Sequence, residues 1–174
     1  MIDNTMSNLQ QEWLDTFDKL QELSTQLDVG DCFNYNRGRE IHTCFTLGIQ
    51  VSPTLSGSDG VDKDGECELK STIGKKITAS YNGISVFPTW EEEVDYLIND
   101  KIGKYTNHYI TRYNGSRMVE CYKMKGDDVL MLLLPKLRKQ YHSKSTRKDP
   151  RLSATLSTKE IQSYGECIHS QISG

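Results

Sequence analysis

No apolar run in this 174-residue chain approaches the roughly 20 residues that a transmembrane helix needs, so a bilayer-spanning helix is excluded. The first twenty residues, MIDNTMSNLQQEWLDTFDKL, lack the basic start and apolar stretch of a secretory signal and are polar and acidic instead. Neither a CxxC pair nor a His/Cys cluster of zinc-ligand spacing occurs. The five cysteines, Cys32, Cys44, Cys67, Cys121 and Cys167, are odd in number and scattered. That pattern reads as reduced, intracellular thiols, mostly buried as small hydrophobes. Internal repeats and low-complexity blocks are missing too. The length leaves room for one domain with its own core.

A net charge of −3 argues against a nucleic-acid binder until its distribution is read. Residues 1–99 carry 17 acids and 7 bases, residues 100–174 carry 7 acids and 14 bases, and the two parts have net charges of −10 and +7. A chain polarised in this way can offer a basic face to phosphates while staying acidic overall. The densest run, KLRKQYHSKSTRKDPR at 136–151, has seven Lys or Arg against one Asp and reads equally well as a solvated loop.

Leu9, Trp13, Phe17, Leu20 and Leu27 recur near helical spacing between Ser7 and Gly30, which predicts an amphipathic helix over 8–28. Its stripe needs a cover, either the rest of the domain or a second copy of the chain. A second helix is expected over 38–48, with Ile41, Cys44, Phe45 and Leu47 inward. A short strand, 49–53, stops at Pro53. Residues 59–62 and 66–73 read as a hairpin joined at KDG, and GKKITASYNG (74–83) has strand character. Thr89 caps a helix over 88–103, with three glutamates in its first turn and Val94, Leu97 and Ile98 on one side. A hairpin turning at Asn114-Gly115 and a buried helix capped by Asp127 or Asp128 follow, and beyond residue 152 signals are few. This order predicts an α/β (α+β) domain with a mixed central β-sheet flanked by helices.

The charged stretch is SDGVDKDGECELKST, 58–72. Strand alternation puts Glu66, Glu68 and Lys70 on one face and Cys67, Leu69 and Ser71 on the other, apolar one. In the simplest register Asp59 lies opposite the Glu68–Lys70 portion, and a one-residue slip would exchange Glu66 for Glu68. Two carboxylates beside an ammonium suit metal-assisted phosphodiester hydrolysis, although a solvated acidic turn uses the same residue types. A calcium loop does not fit: with Gly65 as the loop glycine, Gly60 and Ser71 fall where essential ligands belong.

Asp59, eight residues, then Glu68-Leu69-Lys70 is the pattern of the PD-(D/E)xK nucleases, with Pro53 too far upstream to be the motif's proline. The surrounding stretch LGIQVSPTLSGSDGVDKDGECELKS resembles the active-site region of the PvuII-like type II restriction endonucleases. The similarity is clear over 41–72 and continues in order through the N-terminal helix, GDCFNYNRGRE, RYNG and KDPRL. The resemblance implies a restriction-endonuclease-like fold with an N-terminal dimerisation helix (1–30), a catalytic core (31–135) and a basic C-terminal segment (136–174). It implies Mg²⁺-dependent cleavage of double-stranded DNA by a homodimer at a short palindrome, GC-rich such as GCNGC, leaving 5′-phosphate and 3′-hydroxyl ends. A cognate DNA methyltransferase and a bacterial cytoplasmic setting belong to the same expectation.

Residue by residue, the resemblance makes Asp59 and Glu68 the metal-binding acids, Lys70 the catalytic lysine and Tyr105 a further active-site group. Segment 74–83 corresponds to the base-reading part, so Lys75, Lys76, Thr78, Ser80, Tyr81 and Asn82 are the specificity candidates. Asn36 and Arg39 match a region near the minor groove. Arg112, Arg138, Lys139, Lys144, Arg147 and Lys148 are candidates for phosphate contacts. The adjacent histidines that read bases in the family are absent, and Ser56 stands where a further acid is expected. His108, His142 and His169 have no counterpart and read as surface or fold-specific residues. Junction resolvases and repair nucleases share the same metal site, and a non-catalytic DNA-binding module is the other alternative.

Overall fold

The computed structural model describes residues 8–54, 56–143 and 150–171. Helix α1 (Asn8–Gln26) forms where the apolar spacing predicts it, yet Ser24 is its one buried residue and Trp13 is 63% exposed. Trp13 and Phe17 stack at 5.3 Å, and Phe17 stacks on Phe33 of the following loop at 3.8 Å. Helix α2 (Arg37–Leu47) ends on Gly48, whose φ of 68° is a left-handed cap that suits a residue without Cβ. Ile41 and Cys44 face inward as expected, whereas Phe45 is exposed. One step along a helix turns a side chain by about 100°, so Cys44 and Phe45 cannot both face the sheet.

Strands β1 (Gln50–Val51), β2 (Gly60–Asp62) and β3 (Gly65–Thr72) form an antiparallel series. The β2–β3 hairpin pairs Gly60 with Cys67 and Asp62 with Gly65, the simplest register. The chain then leaves the sheet through β4 (Ala79–Ile84), α3 (Trp90–Tyr96) and a π-helical turn (Leu97–Lys101) before returning as β5 (Asn107–Asn114), parallel to β3. A parallel pair requires such a crossover, and the helix predicted over 88–103 lies within it. Thr89 and Glu92 make the reciprocal capping box that opens α3. The wider π turn changes the helical phase: Leu97 is buried, but Ile98, expected beside it, is exposed.

Strand β6 (Arg117–Lys125) returns from β5 through the turn at Gly115 (φ 60°) and leads into α4 (Gly126–His142). The cap of α4 is Lys125, and Asp127 and Asp128 stand in its first turn, where the helix dipole favours acids, rather than at the cap. Gly126 is required there because a Cβ would lie 2.1 Å from the Tyr105 carbonyl oxygen. Helix α4 passes through Pro135, so the first part of the basic run is helical and not a loop. The tail with few sequence signals folds into β7 (Leu152–Leu156), α5 (Thr158–Tyr164) and β8 (Glu166–Ser170), with a Ser157–Glu160 capping box before α5.

Among the described residues the main sheet has six strands in the order β1-β2-β3-β5-β6-β8, and β4 pairs antiparallel with β7 as a separate ribbon. The fold is thus the mixed α+β architecture expected. Asn107 to Tyr113 of β5 are buried apart from Arg112, as befits a strand covered on both faces. One core cluster holds Ile110 and Met124 with the inner residues of α4 and of the β4–β7 ribbon, a second holds Cys44, Cys67, Leu69 and Tyr109, and a smaller one holds Val29, Cys32 and Ile41. Cys32, Cys44, Cys67 and Cys121 are buried thiols, and Cys167 is exposed. Among the described residues no helix is long and apolar enough to cross a membrane.

Candidate active site

The β2–β3 hairpin sets the site. Its register places Asp59 next to the Cys67–Leu69 segment: the Asp59 amide donates to the Cys67 carbonyl (3.1 Å), and the Leu69 amide donates to Asp59 Oδ2 (2.7 Å). Glu68 and Lys70 leave β3 on one face, as alternation requires, and form an ion pair. Glu66 is exposed, so this register brings Glu68 and not Glu66 beside Lys70. On the opposite face Cys67 and Leu69 are buried as expected.

Burial pushes the Glu68 carboxyl up, Lys70 pulls it back and Asp59 pushes it up again, and the carboxyl settles above its ordinary range. Burial acts downward on the Lys70 ammonium, but the carboxylates of Glu68 and Asp59 outweigh it and hold it above its usual range. Glu68 and Lys70 thus form a coupled, largely desolvated pair in which a change to one charge is felt by the other.

A cleft of about 300 Å³ opens over these residues, bounded by Asn36, Glu40 and Thr43 of the α2 end, Asp59 and Lys70, and Thr78, Ser80 and Asn82 of the ribbon side. Sequence reading missed Glu40 as part of this site. Burial first and then Asp59 raise its carboxyl above the ordinary value. Arg37, also missed, is 1% exposed, donates through Nε to the Val29 carbonyl (2.9 Å) and through Nη2 to the Ser52 carbonyl, and stands 3.5 Å from Glu40. It fastens α2 to the loop that delivers Asp59. No local spacing announces either residue; the RGRE segment reaches the site through the fold.

Tyr105 is buried, and its hydroxyl donates to the Gly57 carbonyl (2.9 Å), bracing the loop just before Asp59. Thr78, Ser80 and Asn82 border the cleft, and Lys75 and Lys76 are exposed on the approach to it. Tyr81 corrects the expectation: it is 6% exposed, and its hydroxyl bonds to His108 Nδ1 at 2.9 Å, so it points into the core and not at bases. Alternation along β4 explains this, since Ala79 and Tyr81 are buried while Ser80 and Asn82 face out, before a register shift between Tyr81 and Ile84. Of the two readings of His108, surface or fold-specific, the structure favours the second, because the residue is fully buried. Thr155 of β7, opposite Ser80 and 2.9 Å from its hydroxyl, joins the ribbon's outer face and had no sequence signal.

Asn36 accepts from Arg39 Nη2, and Arg39 Nε donates to Ser71 (3.1 Å), so both sit at the cleft rim. Arg112 is engaged by Glu120 in an ion pair. Arg138 and Lys139 are exposed on α4, with Arg138 over the Trp90 ring at 6.0 Å, and neither borders the cleft. Lys144, Arg147 and Lys148 lie outside the described residues.

The arrangement brings the Asp59 and Glu40 carboxylates, the Lys70 ammonium and a polar ribbon edge to one cleft, which Glu68 joins through its ion pair with Lys70. No curated protein sequence matches the chain. The model of the restriction endonuclease PvuII family matches residues 4–168, nearly the whole length. Mixed sheet and family match agree: the chain belongs to the restriction endonuclease PvuII family and is a type II site-specific deoxyribonuclease.

Proposed function

We propose that Asp59, Glu68 and Lys70 form the catalytic centre of a Mg²⁺-dependent homodimer that cuts both DNA strands at a short palindrome, leaving 5′-phosphate and 3′-hydroxyl ends. The observation that carries this reading is the hairpin geometry that ties Asp59 to the Leu69 amide and Glu68 to Lys70, with Asp59 and Lys70 lining the cleft that Thr78, Ser80 and Asn82 also border. Type II restriction endonucleases generally use a divalent metal. The donor set suits Mg²⁺ because that ion takes one or two carboxylates and draws the rest of its shell from water and substrate phosphate. When bound, the metal supplies Lewis acidity toward the scissile phosphate and toward water.

Asp59 and Glu68 are the residues that hold it. The Leu69 amide fixes the Asp59 carboxylate in advance, so little reorganisation is needed on binding. Lys70, a cation in this environment, orients the attacking water and steadies the charge that develops on the phosphate. The outer face of the β4–β7 ribbon, with Ser80, Asn82 and Thr155, reads base edges: amide and hydroxyl groups there can donate and accept in the major groove. Lys75 and Lys76 address guanine or phosphate beside it.

The family is dimeric in general. The uncovered stripe of α1, continuous with a groove of about 570 Å³ lined by Leu20, Leu23, Leu27, Phe33, Ile41 and Phe45, is the surface through which this chain pairs. One site then serves each strand, and twofold symmetry matches a palindrome. A DNA methyltransferase encoded beside it protects the host's own sites without forming a stable complex.

The test is digestion of unmethylated phage DNA with Mg²⁺ by wild type and Lys70→Ala, followed by run-off sequencing of the ends. Discrete fragments sharing one short sequence, with the variant at least on the order of 10²-fold slower, are expected. Wild-type cutting by Lys70→Ala would overturn the site assignment, and end-trimming would favour a structure-directed nuclease.

A further inference from the structure

Behind Lys70 stands a buried polar chain for which the proposed mechanism has no task. Lys70 Nζ lies 5.4 Å from the centroid of the Tyr81 ring. The Tyr81 hydroxyl bonds to His108 Nδ1 at 2.9 Å, and His108 Nε2 is 3.2 Å from the Ile102 carbonyl, just past the π-helical turn. A carbonyl only accepts, so Nε2 carries the proton and Nδ1 accepts from the tyrosine. Burial pulls the His108 pKa down to about 4, which keeps the ring neutral and this donor–acceptor order in place at physiological pH. Tyr105 meets the same imidazole edge-on at 6.0 Å, confining it further.

We infer that Tyr81 and His108 are positioning residues for Lys70: the tyrosine ring seats the ammonium by a cation–π contact, and the histidine fixes the ring. The inference rests on the nuclease reading and deepens it. A lysine has four rotatable side-chain bonds, and an ion pair to a neighbouring carboxylate constrains only its tip. Glu68 is also a proposed metal ligand, so its oxygens have a second claimant. The Tyr81 ring offers the ammonium a contact that does not draw on the Glu68 oxygens. In a desolvated setting such a contact is worth more than on a surface.

The assay is a ¹H–¹³C NMR spectrum of the lysine ε-methylenes in the metal-free, DNA-free protein, with the Lys70 signal identified by its loss in Lys70→Arg. Wild type should show that signal displaced upfield by the ring, away from the other lysines. Tyr81→Leu and His108→Leu should move it back toward them, and His108→Gln, which keeps a donor and an acceptor, should restore it at least in part. Single-turnover cleavage at saturating DNA should fall about tenfold in Tyr81→Leu and follow the same order, with DNA affinity unchanged. Should Tyr81→Leu fail to fold, Tyr81→Phe, which keeps the ring but frees it from His108, and the His108 pair carry the test below each variant's unfolding temperature. A Lys70 signal that stays in place in the folded Tyr81 and His108 variants overturns the inference. A wild-type protein that cuts no DNA overturns the nuclease reading, while the spectrum still decides the seating of Lys70.

Discussion

Replacing Arg37 with alanine should destabilise the protein severely although the residue touches none of the reacting groups. The side chain is 1% exposed and joins the Val29 and Ser52 carbonyls to the start of α2. Removing it strands two carbonyls, and each unsatisfied buried group costs about 1–3 kcal/mol. The Glu40 contact adds little: at 3.5 Å it is long, and the Glu40 carboxyl stays above its ordinary value because burial outweighs the guanidinium. The total is therefore roughly 2–6 kcal/mol from the carbonyls, within the range for opening a buried charge network. In a chain of this length each kcal/mol moves the melting temperature by about 2–4 °C. Urea unfolding of Arg37→Ala and Arg37→Lys measures it, with the lysine variant intermediate because an ammonium cannot reproduce the fork. An Arg37→Ala loss below about 1 kcal/mol at unchanged m-value would refute the assignment of Arg37 as the tie between α2 and the Asp59 loop.

Three further outcomes are expected. Glu40→Gln should stabilise the metal-free protein near pH 7: a carboxyl raised in the folded state supports folding below its unfolded value near 4.5 and loses that support as pH rises through its folded value, so urea midpoints across this window should flatten in the variant. His108, lowered from 6.5 to about 4, should destabilise the fold as pH falls through that interval, by roughly 3 kcal/mol in total, and His108→Gln should remove this part of the acid limb. Trp13→Glu combined with Leu20→Glu should place charges on the exposed α1 stripe and yield monomers in sedimentation velocity with an unchanged circular dichroism spectrum.

The grouping of Asp59, Glu68 and Lys70 was legible because they lie within or next to one hairpin, where period-two alternation and a two-residue turn determine register. The mixed sheet followed from element order. What escaped depends on long-range pairing. Glu40 reaches the Asp59 cleft only because α2 packs against β1 and β3, and His108 meets Tyr81 only because the crossover lays β5 beside β3. Tyr81 was misplaced although its own strand held the answer: polar Ser80 and Asn82 alternate with Ala79 and Tyr81, which turns the tyrosine inward. The capping box before α5 was likewise present in Ser157 and Glu160, while Phe45 and Ile98 depended on helix phase that spacing leaves open.

The β4–β7 ribbon joins residues 79–84 to residues 152–156. A ribosome therefore delivers Asp59, Glu68 and Lys70 long before it delivers the strand that completes the proposed reading surface, and pairing across so long a stretch is slow to form. The growing chain passes through synthesis with its proposed cutting residues made but its proposed means of choosing DNA unfinished. For a protein whose product is broken DNA, that order keeps selective cleavage a property of the finished chain.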